Sequence, residues 1–179
     1  MEKGKYPMVI AISAVSGGGK TTITSQLHAK LQKAKALYFD DYDFEGPDDI
    51  IKWIDSGGNP DEWKLLPLIR DLDILRNEPL DYILLDYPFA YKHSKISEFI
   101  DFTVFIDVPL DIAIVRRITR DFKNSSVKEI LADMNNYVLR GRRGYLNMLQ
   151  TIKPNSDIVV DGTLPILELV NIITRNVER

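Results

Sequence analysis

The sequence predicts an α/β chain built on a parallel sheet with helices on both faces. Two observations carry that reading. Five short apolar runs, MVIAIS (8–13), ALYF (36–39), YILL (82–85), FTVFI (102–106) and DIVV (157–160), end near acidic, glycine or proline clusters, as buried strands do. Longer segments with helical spacing lie between them, such as Ile23, Leu27 and Leu31 after the first run and Ile166, Leu169, Val170 and Ile173 after the last.

Composition is consistent with this. A chain of 179 residues that is 45% hydrophobic and 27% charged is expected to fold as one domain, residues 1–179. It has no cysteine, which excludes disulfides and thiolate metal sites. A net charge of −3 argues against bulk nucleic-acid binding. MEKGKYPM has no apolar run of signal-peptide length, and no later run reaches the ~18 apolar residues of a membrane span. A cytoplasmic protein without membrane or nucleic-acid partners is expected. Its oligomeric state stays open.

The first strand enters the turn in AISAVSGGGKTTIT (11–24). Glycines at 17, 18 and 19 allow unusual dihedrals and let amides point at phosphate oxygens. A helix over 20–34 adds its N-terminal dipole, Lys20 a charge for the β- and γ-phosphates, and the Thr21 hydroxyl a ligand for Mg2+. Ser16 and Thr22 complete the expected nucleotide contacts. The P-loop pattern GxxxxGK[ST] is met at Gly19, Lys20 and Thr21, with Ala14 at its first position. Alanine there is costly only if the backbone needs positive φ.

Two further runs deliver carboxylates to the same sheet edge. YILL is followed by Asp86, the expected magnesium-side carboxylate, and ALYF by Asp40 and Asp41. The pair suits orientation of an attacking hydroxyl and late acceptance of its proton, and one member can instead hold metal. PDDIIKWIDSG (47–57) opens on proline and acids and closes on glycine, as a short helix should. In FIDVPLDIAIVRRITRDF, Arg116, Arg117 and Arg120 share an arc of roughly 100°, with Ile112, Ile114, Val115, Ile118 and Phe122 on the far side. Such guanidinium groups can steady a transferring phosphoryl group, or can pair with Asp121 and Glu129 on a solvated face. Arg140, Arg142 and Arg143 in LRGRRGY read as solvated.

With these residues in place, the chain resembles the uridine kinase-like branch of the P-loop kinases, which includes nicotinamide riboside kinases and phosphoribulokinases. The matching pieces are AVSGGGKTT, LYFDDYDF, YILLD and FIDVPLDIAIVRRITRD, with KPNSDIVVDG near the C-terminus. The resemblance implies a three-layer P-loop NTPase fold, a five-stranded parallel sheet with a helical lid over about residues 110–150, and ATP with Mg2+. It aligns Asp40 with the catalytic carboxylate and Arg116, Arg117 and Arg120 with the lid arginines. Val160, Asp161 and Gly162 would lie beside the base of ATP. Where uridine kinases tend to have Glu-Gly, this chain has Asp86-Tyr87-Pro88, and residues 45–68 do not reproduce their nucleoside-binding hairpin. Acceptor contacts are expected from Asp40, Tyr42, Tyr87, Tyr91 and His93, with Trp53, Trp63 and Phe89 as further pocket candidates.

The expected activity is therefore transfer of a γ-phosphoryl group to a hydroxyl of a nucleoside such as uridine or cytidine, or of a related alcohol. A monophosphate acceptor, a nucleotide-dependent switch and nucleotide binding without catalysis are the alternatives. The NKxD motif typical of GTP-reading switches is absent from the sequence.

Overall fold

The computed structural model describes residues 6–178; the first five residues of MEKGKYPM lie outside the described residues. Strands β1 (Met8–Ala14), β2 (Ala34–Tyr38), β3 (Tyr82–Asp86), β4 (Phe102–Asp107) and β5 (Ile158–Asp161) form one sheet in the order β2-β3-β1-β4-β5. Every neighbouring pair is parallel. The helices are α1 (Lys20–Lys30), α2 (Ile50–Asp55), α3 (Leu66–Leu75), α4 (Ser94–Ser97), α5 (Leu110–Asp121), α6 (Val127–Asn136), α7 (Arg142–Asn147) and α8 (Ile166–Val177).

β1 is central, and its unbroken apolar run follows from burial on both faces. Alternate side chains go to opposite layers. Ile10 and Ile12 pack with Ile23 and Leu27 of α1 and with Leu169, Val170 and Ile173 of α8. Val9 and Ala11 pack with Leu68 and Leu72 of α3 and with Ile96 of α4. The three-layer arrangement thus emerges from one strand whose two faces are both apolar.

The register fixes the functional edge. Ile12 pairs with Asp86, and Tyr38 pairs with the same residue, so β1, β2 and β3 end side by side. The chain leaves β1 toward one edge of the sheet and, after β3, turns to the other edge through β4 and β5. Such a reversal opens a crevice beyond the carboxyl ends of the strands.

Some boundaries differ from the sequence reading. α1 stops at Lys30, short of residue 34, because Leu31 turns extended and Lys33 adopts a left-handed φ of 48°. The Lys33 carbonyl accepts from the Asp81 and Tyr82 amides, which starts β2 at Ala34, two residues before the ALYF run. Phe39 leaves the strand for a 3-10 turn, Phe39–Asp41, where its ring meets Phe44, Trp63 and Phe89. α2 begins where Asp49 caps the Ile51 and Lys52 amides at 3.0 and 3.1 Å. Among the described residues, no helix is long and apolar enough to cross a membrane.

Leu72 is fully buried between α3 and the sheet. Leu72→Ala is expected to lower stability by ~2–5 kcal/mol through lost burial and a residual cavity, read as a shifted midpoint in urea unfolding.

Candidate active site

The phosphate loop is residues 15–19, between β1 and α1. Ala14 ends β1 in extended backbone, paired with Ile106, and is not among the residues with positive φ, so its side chain carries no strain. Gly17 and Gly19 do adopt positive φ, at 82° and 92°. The Gly18 amide donates to the Val15 carbonyl at 2.8 Å. Among the described residues, the amides of Gly17, Gly19, Lys20, Thr21 and Thr22 find no backbone acceptor. Five unspent donors at the start of α1 form a cradle for anionic oxygens.

Gly17 also makes room for α5. A Cβ built there would lie 2.0 Å from the Ala113 carbonyl oxygen, so the backbone of α5 rests directly on the loop. This corrects the expected division of α5 into a cationic face and a core face. Its fully buried residue, Ala113, falls inside the arginine arc, while Val115 on the supposed core face is 62% exposed. The helix docks on the loop by its arginine side.

The Lys20 ammonium pairs with the Asp86 carboxylate at the end of β3. Burial pushes the lysine pKa down, Asp40 pulls it back up and Arg120 lowers it again. Asp121, which accepts two hydrogen bonds from Arg120, holds that guanidinium above its ordinary pKa, and Asp40 adds to the effect. Lys20, Asp40 and Arg120 therefore share one field, although they come from α1, the turn after β2 and the end of α5. Thr21, Tyr38, Asp40, Asp41 and Asp86 line a cleft of about 300 Å3. No group of three or more His, Cys, Asp or Glu among the described residues forms a metal cage by itself. A Mg2+ ion fits only if phosphates and water supply most of its ligands, with Thr21 and Asp86 at its side.

The three arginines of α5 differ in what they touch. Arg116 donates to the Gly162 carbonyl at 3.3 Å, joining α5 to the end of β5. Arg117 pairs with Asp133 of α6 and is largely buried. Arg120 is well exposed, at 61% of its side chain, and pairs with Asp121. Glu129 is not an arginine partner, because it closes a capping box with Ser126 at the start of α6.

Several expected contacts lie elsewhere. Val160 is buried in the core, so only its backbone can approach a ligand, and Asp161 accepts from the Thr163 amide and hydroxyl. Tyr87 is fully buried against Phe39 and Phe89, and burial raises its pKa. Tyr91 donates to Asp157 at 2.7 Å, beside Thr103, level with mid-β1 and away from the loop. His93 is buried, with Nε2 3.1 Å from the Trp63 carbonyl oxygen and Nδ1 3.5 Å from Asp61, and serves as a brace. Tyr42 donates to Asp71 at 2.6 Å; burial and that carboxylate raise its pKa. None of these five tyrosine, histidine and valine side chains lines the acid-lined cleft.

A second, larger cavity of about 680 Å3 opens from the loop at Ser16 and from Phe39, each one residue from the phosphate loop glycines or from Asp40. Trp53, Trp63 and Phe89 line it, as the sequence suggested, together with Tyr145 and Gly144 of α7. Arg140 pairs with Asp49 and Arg143 with Asp55 across the cavity, through side chains about half exposed, in keeping with the solvated reading of that cluster. Tyr145 was not singled out in the sequence; its only signal there is LRGRRGY.

No family model matches the chain. It is 23% identical to the uridine kinase of Clostridium botulinum, over 87% of this chain and 88% of that protein. The deoxyadenosine kinase of M. mycoides has a TM-score of 0.55 at 16% identity, covering 96% of this chain and 100% of the other. The shikimate kinase of Aquifex aeolicus has a TM-score of 0.52 at 16% identity, covering 96% of each chain. The sequence likeness bears out the resemblance to the uridine kinase-like branch of P-loop kinases, and the structural likeness bears out the three-layer fold.

Gly17→Ala is expected to lower stability by ~1–3 kcal/mol, because the added methyl collides with α5 as well as straining the turn. A Cβ at Gly19 meets nothing within 4 Å, so Gly19→Ala should cost only the backbone term, ~1–2 kcal/mol. Urea unfolding of the two variants compares them directly.

Proposed function

We propose that the protein is an ATP-dependent phosphotransferase that moves the γ-phosphoryl group of ATP to a hydroxyl of a small metabolite, a nucleoside such as uridine or cytidine or a related alcohol. The observation that carries this reading is the meeting of two spaces at one turn. The loop with unspent amides and the large cavity share Ser16, while Phe39 in the cavity wall is followed directly by Asp40 in the acidic cleft. A hydrolase needs room for a water molecule; a cavity of this size suits an organic acceptor. The uridine kinase name of a relative points the same way.

The chemistry follows from charge and placement. The loop amides and Lys20 hold the β- and γ-phosphates, which requires Lys20 to exchange Asp86 for phosphate oxygen. Mg2+, when bound, neutralises charge on the phosphate oxygens. The acceptor oxygen bonds to the γ-phosphorus while the bond from that phosphorus to the bridging oxygen breaks. Asp40 orients the attacking hydroxyl and takes its proton late, since a carboxylate is too weak a base to remove it beforehand. Charge spreading over the moving group is met by Arg120, whose long exposed side chain is already coupled to Lys20 and Asp40. Arg117, locked on Asp133, steadies the joint between α5 and α6.

Lys20→Ala is expected to abolish transfer. Asp40→Asn should keep ATP binding while cutting kcat by ~10²–10⁴-fold, as measured with an ADP-coupled assay over a panel of alcohols. Turnover left intact by Asp40→Asn would move the role to Asp41. Arg120→Ala should lower kcat by ~10²-fold or more with little change in KM, because its partner charge develops in the transition state. ADP release equally fast without any acceptor would favour the switch reading.

A further inference from the structure

The large cavity carries information about the acceptor beyond its size. Its walls are mainly aliphatic and aromatic, and no aspartate or glutamate is among the lining residues. None of its polar side chains is a carboxylate, and its asparagines are already engaged through their oxygens. Asn59 Oδ1 accepts from the Asp61 amide at 3.1 Å. The Thr151 hydroxyl donates to the Asn147 carbonyl at 2.8 Å, and Asn147 Oδ1 lies 3.3 Å from the same hydroxyl oxygen. Both asparagines keep an amide NH2, a donor. Lys92 adds an ammonium that forms no ion pair among the described residues, and the buried Trp63 Nε1, a donor, and Tyr145 hydroxyl, a donor and acceptor, have no hydrogen-bond partner there. The side-chain edge of the cavity therefore offers N–H groups and lacks a carboxylate to receive O–H groups.

We propose that the acceptor is an alcohol on an apolar, ring-sized body whose polar edge presents carbonyl or carboxylate oxygens. This rests on the phosphotransferase reading and, of the acceptors proposed there, selects the related alcohol over the nucleoside. A polyhydroxylated sugar, or the ribose diol of a nucleoside, would give up water for a wall with no carboxylate to accept its hydroxyls. A phosphorylated acceptor would bring about two negative charges to a single lysine, because Arg140 and Arg143 are neutralised by Asp49 and Asp55. The backbone beside the cavity is also unusual. Ala90, fully buried between lining residues Phe89 and Lys92, holds a left-handed φ of 47°, a conformation kept only where surrounding structure imposes it.

The chain has two tryptophans, and both line this cavity. Their emission thus reports occupancy independently of turnover. The probes are 4-(hydroxymethyl)benzoate, D-ribose, uridine and uridine 5′-monophosphate. The first should change tryptophan emission saturably, with half-saturation at least about tenfold below that of the other three, and Lys92→Met or Asn147→Leu should each weaken it by about tenfold. Ribose, uridine or the monophosphate binding as tightly, or no probe altering the emission, would overturn the proposal. The titration repeated on Lys20→Ala separates the two claims: the emission change should persist where phosphoryl transfer is lost. A preserved emission pattern in the unmutated protein with no phosphorylation of any probe would support the cavity assignment and count against the phosphotransferase reading.

Discussion

The arrangement depends on one close approach, the backbone of α5 resting on the phosphate loop at Gly17. No other residue type leaves the Ala113 carbonyl its present place, since a Cβ would sit 2.0 Å from it. Ala113 lies within the same arc as Arg116, Arg117 and Arg120, so the face that docks on the loop is the one from which the three arginines leave the helix.

A second constraint is electrostatic. Lys20 is mostly buried, with its side chain 16% exposed, and Asp86 is almost fully buried at 2%. A buried pair of this kind is poor at adding stability, because desolvation of both ions offsets their attraction. It fixes an ammonium at the strand edge, and in the proposed reaction phosphate oxygens replace the carboxylate there. The bridges from Arg140 to Asp49 and from Arg143 to Asp55 are of another kind, joining side chains that are 43–50% exposed. Pairs so well solvated are worth ~0–1 kcal/mol each.

The sheet was legible from sequence because each strand is a short apolar run and each helix keeps its own period. Five runs became five parallel strands, and the carboxylates after YILL and ALYF stand at one edge because Tyr38 and Asp86 are register partners. The loop was legible because GGGKTT needs glycine for a stated reason. Side-chain destinations were less so. Tyr91 and His93 follow the acidic strand end in sequence, yet a left-handed turn at Ala90 and hydrogen bonds to Asp157 and the Trp63 carbonyl carry them elsewhere. Periodicity assigned α5 a core face that tertiary docking overrode. The cavity wall assembles α2, the loop after β3 and α7, whose shared surface no local pattern encodes.

The account's central claim concerns what the loop holds. A crystal structure with a non-hydrolysable ATP analogue and Mg2+ tests it most directly. The predicted result is β- and γ-phosphate oxygens within hydrogen-bond distance of the Gly17 to Thr22 amides, with the Lys20 ammonium moved from Asp86 onto those oxygens. An analogue bound elsewhere, with Lys20 still paired to Asp86, would contradict it.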